Sequence, residues 1–149
     1  MRTIVQRVDK ASVTVDGKAV SSIAKGLLVF LGIEKGDAQK DADYLLEKVM
    51  NLRIFEDSEG KMNMSLLDIA GEMLVVSQFT LLGDCRKGRR PSFVAAEEPH
   101  GARMLYEYFI KHGREKMQKV YGGEFQAMMK VELLNDGPVT MLLDSNKVF

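Results

Sequence analysis

Two short segments carry the side chains best placed to do chemistry: Ser77-Gln78-Phe79-Thr80-Leu81 and Asn135-Asp136-Gly137-Pro138-Val139-Thr140. The first follows an apolar run, Met73-Leu74-Val75-Val76. Continued as a strand, that run puts Leu74, Val76, Gln78 and Thr80 on one face and Val75, Ser77, Phe79 and Leu81 on the other. An amide and a hydroxyl then project side by side from the end of a hydrophobic strand. The second segment places Gly137-Pro138 between two strand-like runs, residues 128–134 and 139–143. Glycine permits unusual backbone angles and proline removes a donor, so the pair reads as a turn between strands.

The equipment of several other enzyme classes is missing. His100 and His112 are the only histidines, and Cys85 is the only cysteine. Without an HExxH or a paired CxxC, no metal site is expected. No GxGxxG or P-loop run follows a strand, so no nucleotide-cofactor fold is expected either. A hydroxyl nucleophile needs an adjacent base, and neither histidine is near Ser77 or Thr80 in sequence. An enzyme built from these residues must work by positioning and backbone hydrogen bonds, on a substrate already activated and without a cofactor. The methionines, Met128, Met129 and Met141 among them, are expected mostly to fill the core.

A third feature is the basic cluster Arg86, Lys87, Arg89 and Arg90, broken only by Gly88. The whole chain balances 21 Lys and Arg against 21 Asp and Glu. Zero net charge argues against indiscriminate nucleic-acid binding. A local cluster of guanidinium forks still suits phosphate oxygens, or is simply a solvated loop.

The elements that must position these groups can be read from spacing. Residues 2–8 and 12–15 read as strands, Asp16-Gly17 as a two-residue hairpin turn, and residues 18–20 as the return strand. Residues 27–33 form a continuous apolar run, as a strand covered on both faces would. Ala38, Ala42, Leu45, Leu46 and Val49 fall on one face of a helix with Asp37 as its N-cap. Residues 53–55 read as a short strand and Asp57-Ser58-Glu59-Gly60 as a turn. Ala102, Leu105, Tyr106, Phe109 and Ile110 repeat the helical spacing, opened near Pro99 and closed near Gly113. The fold class is α+β: one domain over residues 1–149, with a mostly antiparallel sheet and two main helices. A lone cysteine fits a reducing compartment. With no apolar run near roughly 20 residues and no signal-peptide pattern, a soluble cytoplasmic protein is expected.

The Ser77-Gln78-Phe79-Thr80 and Asn135-Asp136-Gly137-Pro138-Val139-Thr140 segments resemble the two signature motifs of the D-aminoacyl-tRNA deacylases. Similarity extends through Gln6-Arg7-Val8, Ala11-Ser12-Val13, Gly26-Leu27-Leu28-Val29, Asn51-Leu52-Arg53-Ile54-Phe55, Gly83-Asp84 and Arg90-Pro91-Ser92-Phe93. The resemblance implies a β-barrel-like sheet with helices outside it. It also implies a homodimeric hydrolase that cleaves the ester of D-aminoacyl-tRNA, and of mischarged glycyl-tRNA, with its active site at the subunit interface. Ser77, Gln78, Phe79 and Thr80 would line the pocket for the ester and the terminal adenosine. The terminal ribose hydroxyl would assist hydrolysis, leaving Thr80 a supporting role. A cis Gly137-Pro138 bond would reach into the partner's pocket and exclude L side chains. Arg7 would hold that turn, with Asn135 and Thr140 as motif neighbours. Arg86, Lys87, Arg89 and Arg90 would meet tRNA phosphates. Two other readings stay open: a general ester hydrolase with Thr80 or Ser77 as covalent nucleophile, and a non-catalytic module that holds tRNA ends.

Overall fold

Residues 1–148 are described by the computed structural model. The chain runs β1 (Arg2–Val15), β2 (Lys18–Ile23), β3 (Gly26–Gly32), α1 (Gln39–Asn51), β4 (Phe55–Glu56) and β5 (Met62–Met64). It continues through β6 (Glu72–Ser77), a 3-10 turn (Phe79–Leu82), α2 (Pro99–Lys116), β7 (Val120–Gly122) and β8 (Met129–Asp144). The two predicted strands at the start are one, β1, which folds back on β2 through Asp16 and Gly17. Their φ angles of 48° and 76° are the positive values that a tight hairpin turn demands.

β1 is the axis of the sheet. β8 pairs along one of its edges, while β3 and then β2 share the other, and all three are antiparallel to it. Beyond β3 the sheet turns parallel, β3 to β6 and β6 to β7. The sheet is therefore mixed rather than mostly antiparallel. Parallel neighbours need a crossover, and α1 and α2 lie in those two connections. Ser21 Oγ donates to the Gly122 carbonyl at 2.9 Å, bringing β2 to β7 and nearly closing the sheet into a barrel. Gly26 is required where β3 meets β6: a Cβ there would lie 1.9 Å from the Glu72 carbonyl oxygen.

The apolar run in β3 divides between two cores, as its continuity predicted. Leu27, Val29 and Leu31 pack under the helices with Leu45, Leu46, Val49, Tyr106 and Phe109. Leu28 faces the inside of the curl with Val8, Val13, Leu74 and Val76. In β1 this alternation changes phase: Val5 faces the helices, Val8 the inside, and Ala11 and Val13 the inside too. The register explains it. Val8 pairs with Asn135 and Lys10 with Leu134, so Asp9 is an extra residue, a bulge that flips the following side chains.

Several boundaries differ from the sequence reading. Ala38, not Asp37, is the N-cap of α1. The Asp37 carboxylate instead accepts the Glu34 amide and the Met1 ammonium, both at 2.6 Å, and Asp41 reaches back to the Ala38 amide at 2.9 Å. α2 continues past Gly113 to Lys116, and that glycine is packed inward, where an added Cβ would come 3.5 Å from Leu46 and Val120. The strand predicted at 53–55 starts only at Phe55. Met128 is 90% exposed rather than core filler.

Candidate active site

β6 ends at Ser77, so Gln78 and Thr80 do not alternate on a strand as their spacing suggested. The chain leaves the sheet at Gln78, whose amide still bonds to the Leu31 carbonyl at 2.8 Å, and coils into the 3-10 turn. Coiling brings the two side chains together by another route. The Gln78 amide Nε2 donates a hydrogen bond to Thr80 Oγ1. This contact draws on a lone pair of the hydroxyl oxygen, which is the opposite of activation by a base. His100 is exposed at the start of α2, and His112 is engaged between Asp43 and Glu115 at 3.6 and 2.9 Å. The first amides of the 3-10 turn, those of Phe79 and Thr80, have no partner within it.

Ser77, Gln78 and Phe79 line a cleft of about 860 Å³ at the carboxyl ends of the parallel pair β3 and β6. That is the size of a small-ligand site, roughly 300–1,000 Å³. Its walls are largely apolar: Leu31, Val76, Phe93, Phe125, Met129 and Val131. Phe79 is 57% exposed and meets Phe93 edge-on, ring centres 5.0 Å apart. Behind the far wall, the Tyr106 hydroxyl donates to the Val75 carbonyl at 2.9 Å, and its ring lies 5.7 Å from Phe125. Burial pushes the Tyr106 hydroxyl up to about 12, so it stays a donor.

The Gly137-Pro138 segment is not a hairpin turn. Residues on both sides belong to β8 and run in one direction along β1, Asn135 opposite Val8 and Thr140 opposite Gln6. Residues 136–139 therefore bulge out against the single residue Arg7. The Gly137-Pro138 peptide bond is cis, and both residues are exposed. Arg7 is 4% exposed and occupies the space the bulge leaves. Its Nε donates to the Asp136 carbonyl at 3.0 Å, its Nη1 to the Ile54 carbonyl at 2.6 Å, and the Asp136 carboxylate lies 3.2 Å away. Asn135 closes the neck: its Oδ1 accepts the Val139 amide at 2.8 Å and its Nδ2 donates to Thr140 Oγ1 at 3.2 Å. Gln6 Nε2 donates to the same hydroxyl at 3.1 Å.

The structure thus gathers the predicted residues into two groups. Ser77, Gln78 and Phe79 line the cleft, whereas Thr80, expected in the lining with them, lies outside it and is joined to it through Gln78; Arg7, Asn135 and Thr140 surround Gly137 and Pro138, which also lie outside the cleft lining of the same chain. The basic cluster lies on an arm of residues 84–92, pinned at its base by paired Asp84 and Ser92 amides and carbonyls at 2.8 and 3.0 Å. Phe93 follows directly and packs on Phe79, so the arm is rooted at the cleft. Within it Arg86 closes on Asp84 through two side-chain bonds of 2.9 and 2.7 Å. Those bonds hold the Asp84 carboxyl down at about 2. Lys87, Arg89 and Arg90 are all exposed, and among the described residues no carboxylate pairs with them.

Sequence reasoning missed Phe93, Phe125 and Met129 as cleft walls. Phe93 ends the Arg90-Pro91-Ser92-Phe93 segment, Phe125 lies in the loop before β8 and Met129 opens β8, so no local pattern marks them as one wall. Their convergence depends on two crossovers that no local pattern shows.

Residues 4–144 match the model of the family described as D-Tyr-tRNA(Tyr) deacylase. The chain is 69% identical over its full length, and the full length of the relative, to a D-aminoacyl-tRNA deacylase of Syntrophus aciditrophicus. It is 59% identical, again with both chains fully covered, to one of Thermosipho melanesiensis. Its fold is that of a solved c-Myc DNA Unwinding Element Binding Protein, with a TM-score of 0.92 and 41% identity over 97% of this chain and 98% of that one. The chain therefore belongs to the D-Tyr-tRNA(Tyr) deacylase family, and it is an enzyme.

Proposed function

We propose that the protein hydrolyses the ester of D-aminoacyl-tRNA, and of glycyl-tRNA, to free amino acid and tRNA, and rejects L-aminoacyl-tRNA. The observation that carries the reading is the division of the motif residues between a cleft and a projecting loop on one chain. A cleft lined by Ser77, Gln78 and Phe79 has the size for a nucleoside and its ester, yet the Gly137-Pro138 loop that shares its family signature is exposed elsewhere. A second copy of the chain supplies what one copy lacks. In this homodimer the loop of one subunit enters the cleft of the other and occupies the position an L side chain would need. Discrimination of that kind comes from a rigid clash, because apolar complementarity alone is worth only about 1–3 kcal/mol. Glycine has no side chain and passes.

The chemistry follows from what the cleft holds. Water adds to the ester carbonyl carbon, one of its protons passes to the terminal ribose oxygen as the bond to that oxygen breaks, and the amino acid leaves as its carboxylate with the second proton released to solvent. The Phe79 and Thr80 amides are the donors available to the developing oxyanion. Proton transfer is assisted by the neighbouring ribose hydroxyl, with the Gln78–Thr80 pair as support. Lys87, Arg89 and Arg90 meet phosphates of the acceptor end. The exposed free thiol of Cys85 suits the reducing cytoplasm.

The test is deacylation of D-tyrosyl-, L-tyrosyl- and glycyl-tRNA by the purified protein. D-tyrosyl- and glycyl-tRNA should be consumed while L-tyrosyl-tRNA survives. Equal loss of the D and L esters would defeat the filter, and no loss of any would defeat the deacylase reading.

A further inference from the structure

The basic arm is not the only cationic feature beside the cleft. Arg103 follows Ala102, a lining residue, near the start of α2. Its guanidinium carbon lies 5.0 Å above the ring centre of Phe125, another lining residue. Its Nη2 comes within 3.5 Å of the Gln126 side-chain oxygen, the outer limit of a hydrogen bond. Gln126, also in the lining, has φ 66°, the left-handed region that a glutamine occupies only where its surroundings hold it.

Two other cations beside the cleft are already engaged. Lys35 leans toward Glu98 at 3.7 Å, and Arg86 is closed on Asp84 at 2.7 Å. No carboxylate engages Arg103 among the described residues, and the residue is exposed. Stacking on Phe125 fixes the plane of the guanidinium while leaving most of its N–H edge open. Arg103 is outside the lining itself but stacked on one of its walls, and an open, oriented guanidinium beside a nucleoside-sized cleft has one evident use, because a nucleoside held inside presents its 5′ phosphate at the rim. Guanidinium forks match phosphate oxygens, and the Glu97 and Glu98 carboxylates at the start of α2 leave Arg103 as the group on this wall suited to an anion.

We propose that Arg103 is the phosphate clamp of the terminal nucleotide: it receives the phosphodiester on the 5′ side of the nucleoside that occupies the cleft. The inference rests on the deacylase reading and adds to it a residue outside both signature motifs. It also divides the labour among the cations. Arg103 holds the last phosphate, and the basic arm holds others further along the strand. The contact is remote from the reacting carbon, so it acts in the ground state and transition state alike, and its effect is carried in KM.

The experiment compares three substrates: 3′-O-(D-tyrosyl)adenosine, the same ester bearing a 5′-monophosphate, and D-tyrosyl-tRNA. For the unaltered protein the 5′-phosphate should raise kcat/KM by about tenfold, the lower range for a charge-assisted contact at an exposed site. Arg103→Met keeps an apolar stem on Phe125 and removes the charge, and it should bring that ratio close to one. Arg103→Lys should keep part of the advantage and lose it as salt is raised. Thermal unfolding of each variant shows whether the wall has stayed intact. A phosphate advantage that persists in a folded Arg103→Met protein would overturn the proposal. So would an equal fall on both adenosine esters, which would make Arg103 a support of the wall. If the unaltered protein leaves D-tyrosyl-tRNA intact, the deacylase reading fails first and takes this inference with it.

Discussion

Arg7 and Asp136 are bound twice, by a 3.0 Å hydrogen bond from the Arg7 guanidinium to the Asp136 carbonyl and by a 3.2 Å contact to its carboxylate. A buried cation on β1 thereby holds the root of the exposed loop on β8, and through the Ile54 carbonyl it also holds the link after α1.

Arg7→Ala should lower stability by roughly 2–4 kcal/mol, because it leaves two carbonyls without their donor and removes the partner of Asp136. Arg7→Lys should recover only part of this, since an ammonium cannot fork to both carbonyls. Urea unfolding measures the first effect. The second readout is the ratio of D- to L-tyrosyl-tRNA hydrolysis, which should fall as the loop loosens. An unchanged ratio in a folded Arg7→Lys protein would separate Arg7 from selectivity.

Thr80→Ala should lower kcat/KM by less than about tenfold, because among the described residues the only side chain bonded to Thr80 Oγ1 is the donating Gln78 amide. A tRNA ending in 2′-deoxyadenosine, with the D-amino acid on the 3′ oxygen, should lose about a hundredfold or more, the usual scale of a missing proton-transfer group. A trapped acyl-enzyme, together with complete loss in Thr80→Ala, would instead make Thr80 the nucleophile.

Lys87, Arg89 and Arg90, the exposed cations of the basic arm that pair with no carboxylate among the described residues, should dominate the salt dependence of tRNA binding. Arg89→Ala and Arg90→Ala should each flatten the slope of log affinity against log salt by about 0.7–0.9, the value for one phosphate contact. Arg86→Ala should flatten it less, since Arg86 is already closed on Asp84. Equal effects at all three positions would show that tRNA opens the clasp.

That clasp also sets a pH dependence. Its hydrogen bonds from Arg86 hold the Asp84 carboxyl at about 2, below the ordinary carboxylate range, so the folded arm favours the charged form. Its stabilising effect is complete above an ordinary aspartate pKa of about 4 and is lost as pH falls through about 2. Carboxyl NMR should therefore show Asp84 still charged at a pH near 3, and Asp84→Asn should free Arg86 and steepen the salt slope. An ordinary titration midpoint would mean that the clasp is open in solution.

Much of this protein is legible in the local chemistry of its sequence. The Asp16-Gly17 turn, both helical faces and the doubly covered β3 follow from short-range periodicity, which reports which sides of an element are buried. The two polar motifs stand out because they put amide, hydroxyl, glycine and proline where burial or regularity is due. What only the tertiary structure decided depends on partners distant in sequence. The parallel pairings of β6 arise because α1 and α2 each return the chain across the sheet on the same side. The bulge at 136–139 exists because β8 pairs with β1 on both sides of Arg7, a register invisible from either strand alone. Gln78 meets Thr80 because the chain coils after Ser77 rather than extending, once the ladder with β3 has ended. Periodicity specifies faces, whereas register, crossovers and the cleft they enclose are set by which faces find each other.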